Sequence, residues 1–510
     1  VGHRVHAPEF FEVDHAGAYE EVLAARGVSV RPEERLEVIS GLADRLADEA
    51  GARVHPDPEL VAEHVELVEW PGLLAGQFAD RYLDLPPEVV VTTLKYHQKC
   101  LVLEDGDGGL CPGFLAVADR RDDPEGLIRQ GNEWVIGARL ADAEFFFNED
   151  RKRSMNDLVP GLERLEFHRI LGSLADKASR VGELGATIAG MLGEKVDSAT
   201  LREGATLAKA DLLTNMVNEF PELQGIMGGH YLRLEGADEE LWSAARDHYQ
   251  PVGFEGRAPA SQTGRLLGLA DRLDTLAGLF AVGERPSGSK DPFGLRRAAQ
   301  GAVKIVVDAS WPLDLGAAVD AAVARVERFS DHDRRELAAS VTAFLADRVR
   351  RWLTDVEGVS GDTADAVMAA SWSDLPDAVA RAVALERVRE AETFRSLALA
   401  FKRVRNITQD QPDGAVDPDL FEEDAERQLH SATEDFGRAL EEFLPEHRVD
   451  EAFAAMEPLA DVLEHFFVEV LVMCDDGAAR SNRIALLKQL GTNFLNLADL
   501  SKLQVEGGEE

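Results

Sequence analysis

The residues best suited to chemistry are two carboxylates and the lysines near them. Asp211 follows Lys209-Ala210 in the stretch 207–231, where Leu212, Leu213, Met216, Val217 and Phe220 recur at helical spacing and mark one face as core. Asp271 lies in a second apolar helical run, 266–274, and Lys177-Ala178-Ser179-Arg180-Val181 sits in a third. Aspartates from neighbouring helices can hold a transition metal when imidazoles complete the set. Here the companions are lysine and alanine. An ammonium is positive at neutral pH and has no lone pair to give a metal. No working metal centre is expected, and Asp211 reads as a solvated or paired helix carboxylate.

Cations form the other candidate groups. Arg151-Lys152-Arg153 follows Phe145-Phe146-Phe147 at a helix end, a place the helix dipole favours for positive charge and also one open to phosphate. Three successive phenylalanines cannot all face inward from a helix, so at least one is expected to meet a second domain or a partner chain. Lys290-Asp291-Pro292 and Arg296-Arg297 stand at a Gly-rich approach to a helix, with Asp291 as the expected N-cap and Pro292 in the first turn. Backbone N–H groups and Lys290 there could seat a phosphate. The run lacks the Gly-Lys-Ser/Thr ending of a triphosphate loop. Farther on, Lys402, Arg405 and Asn406 project beside the seam Phe394, Leu397, Phe401 and Val404 of a helix over 390–407. Arg480, Asn482, Arg483 and Lys488 crowd the start of a last helix over 480–503 that buries Ile484, Leu487, Leu490, Phe494 and Leu497. Positive charge opposes the dipole at a helix N-terminus, so these residues are expected to have another use.

The elements that carry these groups are mostly helical. The chain has 510 residues, enough for about three or four domains. Pro32 opens one helix, and the residue before Pro71 ends another. The β-branched run 89–94 breaks the helical period. Leu101-Val102-Leu103 is expected to pair with 114–117 across Asp105-Gly106-Asp107-Gly108-Gly109 as a hairpin. From 158 onward the pattern is helical, with an exposed acidic loop over 409–423. No apolar run reaches the ~20 residues of a membrane span, and no secretory leader is visible. Val1 in place of Met suggests numbering that starts inside a longer gene product. Three cysteines, Cys100, Cys111 and Cys474, make neither a metal site nor a disulfide framework, which fits a reducing cytoplasm. The net charge of −40 argues in bulk against a polyanion partner but says little about one local site.

Residues 158–310 resemble a degenerate HD-like helical domain. Metal-dependent HD phosphohydrolases draw a His from one helix, His-Asp from the next and an Asp from a later one. Lys177 and Ala210 stand in the imidazole positions, so the alternative of a metal-dependent HD-type phosphohydrolase is disfavoured.

Almost end to end, the chain resembles the β subunit of bacterial two-subunit glycyl-tRNA synthetase. The landmarks are Gly2-His3-Arg4, Leu67-Val68-Glu69-Trp70-Pro71, the run 139–147, Lys209-Ala210-Asp211-Leu212, Gln224-Gly225 with Met227-Gly228, the run 271–278, Lys290-Asp291-Pro292-Phe293, Arg480 to Leu487 and Ala498-Asp499. The resemblance implies a multidomain, predominantly α-helical chain: an N-terminal α+β region (1–157), the HD-like helical domain (158–310), a helical connector (311–385) and a C-terminal helical anticodon-binding domain (386–510). It implies a cytoplasmic α2β2 enzyme that attaches glycine to tRNA(Gly). ATP and Mg chemistry would lie on the α subunit, with no catalytic residue or metal on this chain and neither membrane nor DNA as a partner. Lys402, Arg405, Asn406, Arg480, Asn482 and Arg483 are then expected to line the anticodon side, since single-stranded loops are read by cations on phosphate and planar groups on splayed bases. Glycine anticodons end in two cytosines. Lys290, Arg296, Arg297 and Arg151-Lys152-Arg153 remain as possible phosphate contacts. The chain departs from the family at Cys100-Leu101, where two aromatics are usual, and at Trp134 and Gly137, where basic residues are usual.

Overall fold

The structure, a computed structural model, describes residues 1–504, so the terminal Gly-Gly-Glu-Glu at 507–510 lies outside the described residues. The chain divides into two compact units, residues 1–162 with 207–242, and 163–206 with 243–504 among those described.

The first unit holds the α+β region. Helices α1 (Pro32–Glu49) and α2 (Pro58–Leu67) each begin with proline in the first turn, where its missing N–H costs nothing. They cover a four-stranded antiparallel sheet of β1 (Arg53–Val54), β2 (Gly72–Gln77), β3 (Leu101–Glu104) and β4 (Leu110–Ala118), in the order β1-β3-β4-β2. The hairpin expected from the Asp-Gly turn forms, with Leu101 opposite Leu115 and Val102 opposite Phe114. Ile39, Leu60, Val65, Leu73, Leu101 and Leu115 close its core. At Gly76 a Cβ would meet the Phe114 ring at 2.3 Å, so a side chain there would push the two strands apart.

Two sequence expectations fail here. Residues 89–94, whose β-branched run broke the helical pattern, do not leave it: α3 (Pro87–Thr92) starts on the second of two prolines, with Pro86 at its cap, and continues as a wide turn over Thr93–His97. Val89, Val90 and Leu94 are all fully buried, so packing overrides a modest propensity. The stretch 207–231 is not one helix either. It breaks into a 3-10 turn Ala210–Leu213, helices Asn215–Glu219 and Ile226–Leu234, and a turn Pro221–Leu223. Thr214 caps the second piece by accepting from the Val217 N–H at 3.2 Å, Pro221 supplies no donor, and Gly225 takes φ 81°. Helix α4 (Leu127–Asp150) buries Phe147 and leaves Phe145 exposed, as three adjacent phenylalanines require.

The second unit is helical and shares one continuous apolar core. Its axis is α6 (Gln262–Ala281), buried on nearly every side and flanked by α5 (Leu174–Met191), α7 (Leu295–Asp308), α8 (Leu315–Val326) and α9 (Arg334–Arg351). After α10 (Leu375–Val388) come α11 (Glu392–Thr408), α12 (Asp424–Phe443), α13 (Leu459–Glu469) and α14 (Gly477–Leu495). The expected seams are present: Phe401 and Phe494 stack at 4.7 Å between α11 and α14. The last helix starts three residues early because Asp476 accepts from the Ala478 and Ala479 N–H groups. It ends at Leu495 rather than 503, and a 3-10 turn follows over Leu500–Lys502. No helix among the described residues is long and apolar enough to cross a membrane.

Candidate nucleic-acid interface

Lys177 settles what became of the metal-like constellation. On α5 its ammonium donates to Thr275 Oγ1 at 2.7 Å, Asp274 Oδ2 at 3.1 Å and the Asp271 carbonyl at 3.2 Å, with Asp271 Oδ1 also at 3.2 Å. The Phe167 ring lies beneath it at 4.6 Å. Arg180 grips the same Asp274 at 2.6 and 3.1 Å. A side-chain cation therefore occupies the oxygen cage that a divalent ion would need, and both aspartates are spent on it.

Asp211 belongs to the other unit and points at its own backbone. Its Oδ2 accepts from the Gly225 N–H at 2.5 Å and the Gly228 N–H at 3.2 Å. Burial pushes its carboxyl up to about 6, against the pull of those two donors. Among the described residues, the one cluster of metal-type side chains is His3, Glu69 and Asp119. His3 Nδ1 there accepts from the Val5 and His6 N–H groups, and Nε2 faces Asp119 at 3.1 Å, so the imidazole is already committed.

The C-terminal cations gather differently. Helix α11 presents Lys402, Arg405 and Asn406 to solvent, and α14 presents Lys488 beside them. With Gln409, Thr492 and Lys502 they line a cavity of about 690 Å³. Four cations (Lys402, Arg405, Lys488, Lys502) face three carboxylates there (Asp410, Asp413, Asp499), an inversion of the chain's overall balance. Arg405 is steadied 3.6 Å from the nearly buried Asp499. Lys488 donates to Asp413 Oδ1 at 2.7 Å and to the Gln411 carbonyl. Lys402 and Lys502 make no ion pair among the described residues and stay free for an incoming anion.

The other three expected readers are held elsewhere. Arg480 is half-buried and donates to the Cys474 carbonyl at 3.0 Å. Asn482 is buried, exchanging two hydrogen bonds with the Asp417 backbone at 2.7 and 3.0 Å. Arg483 is buried too, donating to Glu426 Oε1 at 2.9 Å, Glu422 Oε2 at 2.8 Å and the Leu471 carbonyl at 3.1 Å. Burial works against the Glu426 carboxylate, yet Arg483 and the N–H groups of Glu423 and Glu422 hold its pKa below the usual value. At this helix start Asn482 and Arg483 bond to the 409–423 loop and its neighbours, and neither lines the cavity.

The remaining cations are dispersed. Lys152 pairs with Glu149, Arg151 lies over the Phe147 ring at 5.3 Å, and Arg153 donates to the Asp157 carbonyl at 3.1 Å. At 288–297 the helix cap is Gly294, with φ 64°, and Pro292 precedes the helix. Asp291 nevertheless does capping work: its carboxylate accepts from the Leu295 N–H at 2.8 Å and the Arg296 N–H at 2.9 Å. The donors imagined for a phosphate are thus already bonded to a carboxylate. Arg296 donates to the Gly288 carbonyl at 2.6 Å, while Lys290 and Arg297 are exposed. Sequence reasoning missed Lys502 altogether. Its only signal was a lone cation a few residues past the last apolar seam.

Comparison with known proteins places these features. The family model described as glycyl-tRNA synthetase beta subunit matches residues 1–369, and the DALR anticodon binding domain matches residues 397–503. The chain is 41% identical to the glycine–tRNA ligase beta subunit of Anaeromyxobacter dehalogenans, over 99% of this chain and 72% of that protein. It is 40% identical to the same subunit of Chromohalobacter salexigens, over 99% of this chain and 73% of that protein. With that of Geotalea daltonii it shares 37% identity, over 98% and 73%.

Proposed function

The chain belongs to the glycyl-tRNA synthetase beta-subunit family, and from that premise we propose that it binds the anticodon loop of tRNA(Gly) through the cavity between α11 and α14 while a partner α subunit makes the glycyl adenylate. The family function is ligation of glycine to tRNA, and the HD-type hydrolase reading has no support, since the cage that would hold its metal is filled by Lys177. In this reading the enzyme is a cytoplasmic α2β2 assembly, ATP and Mg reside on α, and residues 386–510 act on tRNA alone.

One observation carries the reading. On a chain of net charge −40, four cations converge on one cavity within the segment that matches an anticodon-binding domain. Local positive charge is what a phosphate backbone needs, whatever the bulk balance. Arg405, Asn406 and Gln409 add planar donors for unstacked bases. The test is binding of tRNA(Gly) by the full chain across a salt series. Lys402→Ala and Arg405→Ala should each weaken binding by about 1 kcal/mol and lower the salt slope by about one. Affinity and slope equal to the parent in both variants would remove this surface from the RNA path.

A further inference from the structure

Helix α4 carries two apolar seams, and the fold of the chain uses one. Ile136, Leu140, Ala143 and Phe147 face inward and are buried. On the outer side Leu127, Gly131, Trp134, Ala138, Ala141 and Phe145 follow at spacings of four, three, four, three and four residues, the repeat of a coiled-coil seam. Leu127, Trp134 and Phe145 are 61%, 76% and 59% exposed. Roughly 27 Å of helix therefore shows water three large apolar side chains, with only glycine and alanine between them along the seam. Single surface hydrophobics are ordinary, but a continuous row marks a contact. The glycines point the same way. At Gly131 in the seam and Gly137 on its flank, a Cβ would meet nothing within 4 Å, so one chain alone does not require glycine there. Glycine inside a helix costs stability relative to alanine, and its return here is room for a second helix to come close.

A second copy of α4, running antiparallel, fits this face. In the register that sets Leu127 against Phe145, each Trp134 lies over Ala138 of the other copy and Gly131 faces Ala141. The pattern repeats about a two-fold axis midway between Trp134 and Ala138, so one face closes on itself. The large side chains fill the room that the small ones leave. Charge selects the same direction. The loop before α4 carries Asp122, Asp123 and Glu125, and Arg151, Lys152 and Arg153 follow its end. Antiparallel pairing brings each basic end to the acidic loop of the other copy, whereas parallel pairing sets like against like. Asp122 pairs with the neighbouring Arg120 and Lys152 with Glu149, both at the surface where such pairs are weak. Glu125, Arg151 and Arg153 make no ion pair among the described residues. An aromatic side chain buries about 150–250 Å². Four of them, with two leucines and the flanking polar rows, reach the roughly 1,000 Å² that a specific interface needs, at the low end of the range.

We propose that the outer face of α4 docks a second copy of this chain in an antiparallel, two-fold pair, with Trp134 and Phe145 at its centre and ends and residues 151–153 of each copy against 122–125 of the other. The inference is independent of the RNA-binding surface, which belongs to the other unit. Any assembly that holds two copies of the chain brings two such faces into one particle.

The test is sedimentation equilibrium of the full chain between about 1 and 100 µM. The parent should pass from monomer to dimer within that range, as a contact of this size implies. Trp134→Lys should weaken the dimer by at least about tenfold, with thermal unfolding of the dilute monomer unchanged because the side chain is exposed. Arg151→Glu with Arg153→Glu should weaken it about three- to tenfold, and adding Asp122→Lys and Glu125→Lys to the same chain should restore it. Only the antiparallel order gives that rescue. A parent that stays monomeric at 100 µM, or a dimer that Trp134→Lys leaves intact, overturns the pairing; failure of the four-residue reversal to rescue overturns its direction. If the parent is monomeric and Trp134→Lys instead weakens capture of the partner α subunit, the face belongs to that subunit and the second copy is overturned as its occupant.

Discussion

Arg483 and Glu426 form a buried ion pair across 57 residues of chain, Nε to Oε1 at 2.9 Å, with side chains 5% and 1% exposed. The pair ties the start of α14 to the start of α12, and the same carboxylate accepts from the Glu422 and Glu423 N–H groups at 2.9 Å each. It is a fastening for the wall of the cavity, one layer behind the groups that face solvent.

Arg483→Ala should therefore act on stability first. Removing one partner strands a buried charge, and the expected loss is about 3–5 kcal/mol in urea unfolding. Replacing both residues with apolar ones of similar volume should recover much of it. An Arg483→Ala protein that unfolds like the parent but binds tRNA poorly would return Arg483 to the RNA surface.

Asp211 sets a pH dependence in the first unit. Its carboxyl is raised from 3.8 to about 6 by burial. Below about pH 4 both folded and unfolded chains hold the proton and the contribution is complete. Between about pH 4 and about pH 6 the unfolded chain releases its proton first, so stability declines by about 3 kcal/mol from this group and then levels off. The difference in unfolding free energy between parent and Asp211→Asn should fall over that window. A flat difference would mean that Asp211 ionises in the folded chain as it does in water.

Lys177→Met should destabilise the second unit by about 3 kcal/mol, toward the low end for a broken buried pair because Arg180 still holds Asp274. Phosphohydrolase activity should not emerge in the variant with added Mn or Mg, since no imidazole joins the aspartates. Turnover of a phosphomonoester by the purified variant would revive the hydrolase reading.

How far the sequence alone could be read differs by element. The seam of Phe394, Leu397, Phe401 and Val404 and the Asp-Gly hairpin were legible because their signal is local periodicity and turn chemistry. Residues 89–94 misled because a segment buried on all sides leaves no polar face to reveal its period. Lys402, Arg405 and Asn406 could be assigned to a surface from their place beside the seam. Arg483 could not: its partner Glu426 lies 57 residues away, and no local rule says which cations at a helix start turn inward. The meeting of Lys488 and Lys502 with that surface is likewise a tertiary fact, made by the packing of α11, α14 and the turn after it.

This chain without its partner subunit should form no glycyl adenylate. The backbone donors at 295–296, the best candidates on the sequence for a phosphate, are bonded to Asp291. Glycine-dependent pyrophosphate exchange by the chain alone would contradict this.

The most direct measurement is glycylation of tRNA(Gly) by the enzyme reconstituted from both subunits, carrying Lys402→Ala and Arg405→Ala together in this chain, beside glycine-dependent pyrophosphate exchange by the same preparation. A surface that holds the anticodon loop predicts kcat/KM for tRNA lower by about ten- to a hundredfold, with exchange at the parent rate. Charging at the parent kcat/KM, with both cations gone, would contradict it.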